Sequence, residues 1–170
     1  SRIEQEEHTR PSDAVALGPL LRSIRDTLQL KAMERGIRLL IDIEDDAPPV
    51  LGERDQLIQV FQNLFDNAVK YGGEDGAVTA TATFDDDSAS ISITDEGDGV
   101  PPEAIPRLTE RFYRVDPARS RELGGAGLGL AIVKHIINRH RGRLLIQSIP
   151  NQGSVFTVTL PLATDSSRDD

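Results

Sequence analysis

The sequence predicts an α+β fold, a mixed five-stranded sheet with three helices packed on one face. Helix-period and strand-period segments interleave without the strict repetition of a parallel doubly wound sheet, and a hairpin stands in the middle of the chain. The size agrees: 170 residues, 38% of them hydrophobic, suffice for one domain with a real core and argue against a second full domain. The opening stretch SRIEQEEHTRP is charged, has no apolar period and runs into Pro11, so residues 1–11 read as a severed end. From Pro19 to Arg35, Leu20, Leu21, Ile24, Leu28 and Ala32 recur at helical spacing, and Gly36 stands where a C-terminal cap would. Ile37 to Ile43 is an apolar run of strand length. The breaker DDAPP follows, then a second helical pattern from about Glu53 to Tyr71.

VTATATF, from Val78 to Phe84, and ASISITD, from Ala89 to Asp95, alternate with period two on either side of a DDDS turn and predict the hairpin. Residues 100–124 are rich in Pro, Arg and Glu with little regular pattern, and they read as a mobile lid. The run GGAGLG opens a third helix reaching about His140, and LLIQSI and SVFTVTL supply the last two strands. The domain thus spans 12–163, and residues 164–170 read as a solvated tail. With 19 basic against 28 acidic residues the net charge is -9, which argues against a broad nucleic-acid or anionic-lipid surface. Zero cysteines exclude disulfides, thiolate metal sites and cysteine nucleophiles, and three histidines make a multi-His metal centre improbable.

Three places break the local rules. Ala89, Ile91 and Ile93 define the inward parity of their strand, and the next inward position is a carboxylate, Asp95. A charge there is costly unless donors meet it, although a strand-end Asp opening a turn reads the same in isolation. In helix two, ~100° per residue puts Leu57, Phe61, Leu64, Phe65 and Ala68 on one stripe, with Asn63, Asn67 and Lys70 within about 60° of one another beside it. Two amide oxygens suit a hard cation and an ammonium suits phosphate; a solvated helix face is the plainer alternative. Finally, Gly124, Gly125, Gly127 and Gly129 cost roughly 1 kcal/mol each inside a helix relative to Ala, and glycines at a helix start can cradle an anion. Neither a P-loop nor the dinucleotide-binding fingerprint fits the run. Of the lid arginines Arg107, Arg111, Arg114, Arg119 and Arg121, each alone reads as surface.

In this order the elements resemble the catalytic ATP-binding domain of bacterial sensor histidine kinases. NLFDNAVKY matches the N box, DEGDGVP the first glycine box, RFYRVD the F box and GGAGLGLAIVKHI the second glycine box, and GSVFTVTLP is similar to the family's last strand. The resemblance covers about residues 12–162 and implies the α/β sandwich shared with gyrase, heat-shock chaperone and mismatch-repair ATPases. It implies that ATP and Mg²⁺ are bound, with Asp95 accepting from the adenine amino group, Asn67 on the metal, Asn63 a second polar contact beside it and Lys70 on the phosphates. It further implies nucleotide contacts from Tyr71, Gly97, Gly99, Val100 and Arg114, and from Gly125, Ala126, Gly127, Leu128, Gly129 and Leu130, with Phe112 anchoring the lid. Two positions depart from the pattern: Ala126 replaces the usual Thr or Ser, and Thr109 replaces an aromatic before the F box.

Related ATPases carry a glutamate one turn before the metal-binding asparagine to activate water. Here that place is Asn63, which is no base, so the resemblance implies phosphoryl transfer to a nucleophile supplied elsewhere. His8 precedes Thr9, Arg10 and Pro11 but lacks the acidic neighbour of a phosphoacceptor histidine, while His135 and His140 read as structural or exposed. The implied partners are therefore a dimerisation domain bearing the acceptor histidine, of whose second helix SRIEQEE would be the end, and a response regulator. No nucleic acid, no membrane contact by this stretch, a monomeric state and a cytoplasmic location complete the expectation. A nucleotide-binding module without transfer activity and a serine-phosphorylating anti-sigma-type kinase are the alternatives.

Overall fold

A computed structural model describes residues 11–111, 113 and 129–163. The strands are β1 (Asp13–Val15), β2 (Arg38–Asp42), β3 (Val50–Gly52), β4 (Ala77–Phe84), β5 (Ser88–Asp95), β6 (Arg143–Ile149) and β7 (Gly153–Pro161). The helices are α1 (Leu17–Glu34), α2 (Arg54–Tyr71) and α3 (Gly129–Arg139). The five-stranded sheet runs β2-β4-β5-β7-β6, with β2 and β4 parallel and every other pair antiparallel, so it is mixed as expected. A parallel pair needs a long crossover. Here that crossover contains α2, which is thereby laid against the sheet. The sequence patterns did not indicate the small antiparallel sheet of β1 and β3, because three residues each are too few to display an alternation.

Periodicity decides the packing. The stripe Leu57, Phe61, Leu64, Phe65 and Ala68 of α2 is buried, as are Leu20, Leu21, Ile24, Leu28 and Ala32 of α1. They meet the inward row Ala89, Ile91 and Ile93 of β5 and Phe156, Val158 and Leu160 of β7 in one core. The opposite sheet face is hydroxylated, with cross-strand contacts Ser90–Thr159 at 3.1 Å and Ser92–Thr157 at 2.9 Å. α1 stops at a glycine turn: Gly36 takes φ +69°, its N–H donates to the Met33 carbonyl at 3.0 Å, and Ile37 N–H reaches the Ala32 carbonyl at 2.8 Å.

His140, just beyond α3, is buried and structural. Its Nδ1 faces the Ile136 carbonyl at 2.8 Å and its Nε2 accepts the Glu53 N–H at 3.1 Å, immediately before α2. Those two bonds require the neutral ring protonated on Nδ1, and burial holds its pKa below the ordinary histidine value. Beside it Arg139 bridges Glu53 at 3.1 Å and Gln56 at 2.6 Å, so the end of α3 is fastened to the start of α2.

The first part of the expected lid is more ordered than its composition suggested. Residues 101–111 wind through successive turns around a 3₁₀ turn at Ile105–Arg107, with Ala104 buried and Leu108 packed on the core. Backbone bonds from Ala104, Arg107 and Glu110 to the carbonyls three residues earlier, each 2.9 Å, hold this path. Arg107 lies 4.5 Å above the Tyr113 ring. His8, Phe112, Arg114, Arg119, Arg121, Gly124, Gly125, Ala126, Gly127 and Leu128, like residues 164–170, lie outside the described residues.

Candidate functional site

Asp95 is the last residue of β5 and is 8% exposed. Its Oδ1 accepts the Gly97 N–H at 2.9 Å. Burial pushes its carboxyl above the ordinary aspartate range, opposed by backbone donation from Gly97 and Ser154. Across the register Asp95 stands opposite Ser154 of β7, and Ser154 opposite Ser148 of β6. A polar row therefore crosses three strands where aliphatic residues end. Sequence reasoning found Asp95 and missed the two serines, although the same inward parity marks them after Leu144 and Ile146 and before Phe156.

The loop after Asp95 is fixed at several points. Val100 N–H donates to Ser148 Oγ at 2.6 Å, and Asn151 N–H donates to the Asp98 carbonyl at 2.6 Å. Gly99 takes φ +74°, where a side chain would strike the Ile149 carbonyl, and a Cβ at Gly97 would strike the Tyr71 carbonyl. Both glycines thus have a reason inside the fold, since the space each leaves open is filled by the chain's own backbone. Gly72, which closes α2 with an N–H bond to the Ala68 carbonyl at 2.7 Å, would place a Cβ 3.5 Å from that of Asp95. The end of α2, with Tyr71 half-buried, is in this way set against the carboxylate. Arg35 Nη2 donates to the Gly72 carbonyl at 3.0 Å and steadies that junction from α1.

Asn63, Asn67 and Lys70 are half-buried along one flank of α2, as the spacing required. Lys70 Nζ pairs with Asp66 at 3.0 Å, and Lys31 of α1 reaches the same carboxylate at 3.5 Å. At the other end of the flank Gly129 opens α3, its Cβ direction 3.7 Å from the Asn63 carboxamide. Leu130 is half-buried beside the core. A polar flank therefore runs along α2 from Asn63 to Tyr71, eight residue steps or about 12 Å at 1.5 Å each. Among the described residues no group of three His, Cys, Asp or Glu side chains gathers to hold a metal ion. The carboxamide oxygens of Asn67 and Asn63 nevertheless suit Mg²⁺, which takes few protein ligands and draws the rest from phosphate and water. Among the described residues no helix is long and apolar enough to cross a membrane.

A two-layer sandwich with an inward carboxylate at a strand end, an asparagine-bearing helix beside it and a glycine opening the next helix defines an ATPase-type nucleotide fold. Residues 52–164 match the histidine kinase-, DNA gyrase B- and HSP90-like ATPases, and the chain belongs to that family. It is 43% identical over 157 residues to the phosphate regulon sensor protein PhoR of Pseudomonas aeruginosa, covering 92% of this chain and 35% of that protein. It is 36% identical over 155 residues to the signal transduction histidine-protein kinase BaeS of Escherichia coli, covering 91% and 33%. Full-length ShkA in complex with AMPPNP superposes with TM-score 0.80 at 32% identity, over 92% of this chain and 32% of that one. The mycobacterial sensor histidine kinase MprB superposes with TM-score 0.76 at 26% identity, over 91% and 99%. The chain spans about a third of the length of the curated relatives it matches.

Proposed function

We propose that this chain binds Mg-ATP in the cleft beside α2 and presents the γ-phosphoryl group to a histidine on a separate dimerisation domain, for onward passage to a response regulator. The buried Asp95 carries this reading. A carboxylate held inward, which accepts backbone donation from Gly97 and Ser154, still has lone pairs to offer, and an adenine amino group is a donor that fits them. The base end of the nucleotide then lies against Asp95, Gly97, Gly99, Val100 and Tyr71, and its phosphates run along α2 toward Asn63. Lys70 supplies an ammonium to them, exchanging Asp66 for phosphate. Gly129 and Leu130 open α3 at the phosphate end, and the preceding run Gly125, Ala126, Gly127 and Leu128, with Phe112 and Arg114, is assigned to the nucleotide by resemblance alone.

Asn67, aided by Asn63, would hold Mg²⁺, which when bound would supply positive charge against the phosphates. Asn63 stands one turn before Asn67 and cannot take a proton from water, so this flank binds and orients without activating a hydrolytic nucleophile. Transfer to an imidazole, nucleophilic when neutral, needs only positioning and charge stabilisation from this domain. Support also comes from the sensor kinases among the relatives, and from the nucleotide analogue bound by ShkA. Residues 1–11 would be the end of the dimerisation helix, 12–163 the catalytic domain acting as a monomer in the cytoplasm, and 100–124 its lid.

Calorimetry with ATP, with and without Mg²⁺, tests the binding step, and incubation with labelled ATP and an added histidine-bearing dimerisation domain tests transfer. Heat of binding, label on the added histidine and negligible self-labelling are expected. Absence of heat at millimolar nucleotide refutes the site. Binding with no label on the histidine refutes the kinase assignment and leaves a nucleotide-binding module.

A further inference from the structure

We propose that Ser148 is a positioning residue of the nucleotide site: its hydroxyl holds the Val100 amide and so fixes the loop that follows Asp95 against the end of β6. The proposal rests on the reading of Asp95 as the base acceptor. A hydroxyl offers one donor and two lone pairs. Ser148 Oγ donates to the Gly153 carbonyl at 3.2 Å, accepts the Val100 N–H at 2.6 Å and meets Ser154 Oγ at 3.0 Å. Its capacity is spent inside the chain, which makes it a group that holds the wall rather than one that touches the ligand.

The wall it holds is short. Asp95 grips Gly97 N–H at one end, and Ser148 grips Val100 N–H at the other, three residues on. Between them Gly99 lies at φ +74° against the Ile149 carbonyl, and the Asp98 carbonyl takes the Asn151 N–H at 2.6 Å. Ser148 therefore belongs to the turn-facing end of β6, yet it acts on the first glycine box some fifty residues earlier. Without the hydroxyl the Val100 amide loses its acceptor, and the loop gains freedom that nucleotide binding must remove again.

The experiment compares wild type, Ser148→Ala and Ser148→Thr in this 170-residue chain, well below each melting temperature. Amide hydrogen exchange at Val100 and calorimetric Kd for Mg-ATP are measured, with Asp95→Asn as a reference. The expected result for Ser148→Ala is faster Val100 exchange and a Kd raised roughly fivefold to tenfold. Ser148→Thr, which keeps the hydroxyl and suits a strand, returns both toward wild type. A purely structural serine would lower the melting temperature and leave the Kd of the folded molecules unchanged. The proposal is overturned if Ser148→Ala leaves Val100 exchange unchanged, or binds within twofold of wild type while Asp95→Asn loses affinity, or if Ser148→Thr behaves like Ser148→Ala. If wild type itself binds no ATP, the nucleotide site falls, and this inference falls with it.

Discussion

Replacing Asp95 with Asn separates a ligand-binding carboxylate from a structural one. Gly97 N–H, 2.9 Å from Oδ1, and the Ser154 backbone donor need an acceptor in the variant too, so the amide oxygen turns toward these backbone donors and the NH₂ group is left toward the base. The NH₂ then confronts the adenine amino group, donor against donor. The loss combines one hydrogen bond to a charged acceptor, about 1.5–3 kcal/mol, with a buried donor left unpaired, about 1–3 kcal/mol. Taking values near the low end of each, about 3 kcal/mol together, the Kd for ATP should rise at least on the order of 100-fold. Preference for ATP over GTP should shrink as well, because an amide NH₂ donates to the guanine oxygen that a carboxylate repels.

Stability should move the other way. The folded carboxyl titrates above its unfolded value, so the favourable contribution is fully present below the unfolded pKa and is lost as pH rises through the raised folded one. Above the raised folded value the ligand-free wild type bears the cost of a buried charge. Asp95→Asn removes it, and the melting temperature of the variant should equal or exceed that of wild type at pH 7, with the difference narrowing toward pH 4. Calorimetric titration with ATP and GTP, together with thermal melts at both pH values, reads these quantities. Wild-type ATP affinity in the variant, or a melting temperature lowered by more than about 5 °C at pH 7, refutes the reasoning.

Asn67→Ala should weaken Mg-ATP binding about tenfold and Mg-free binding much less, as titrations with and without EDTA would show; equal losses would deny it a metal role. His140 is held neutral with its pKa below the ordinary value, so its stabilising contribution is complete above the unfolded value and is lost as pH falls through the folded one. Urea midpoints between pH 8 and pH 5 should therefore decline for wild type, with a shallower decline in His140→Gln. Gly99→Ala, forced to φ +74° and against the Ile149 carbonyl, should lose about 1–3 kcal/mol in denaturant unfolding; unchanged stability would mean that the loop re-routes freely.

Much of this architecture was legible because period and burial are the same fact seen twice. The α2 stripe and the β5 alternation follow from geometry that a core enforces, and Asp95 stood out because a charge in an aliphatic row is expensive. Ser148 and Ser154 occupy the same row, but a buried hydroxyl costs little once bonded and raises no alarm in a strand. The β1–β3 pair was hidden by its length, and the turns of residues 101–111 by having neither period. Lys70 was legible as a cation on the right flank. Its pairing with Asp66 was open to the i, i+4 rule and went unread, while Lys31 joining them depends on where α1 packs.

Among the described residues β7 is the last strand in sequence, yet it lies inside the sheet, flanked by β5 and β6. During ribosomal synthesis β5 must wait with a bare edge, Asp95 included, until about residue 161 has emerged. Co-translational completion of this domain is thereby excluded before its C-terminal strand is free of the exit tunnel. A nonsense codon at position 150 would remove not an ornament but the keystone through which two neighbours are joined.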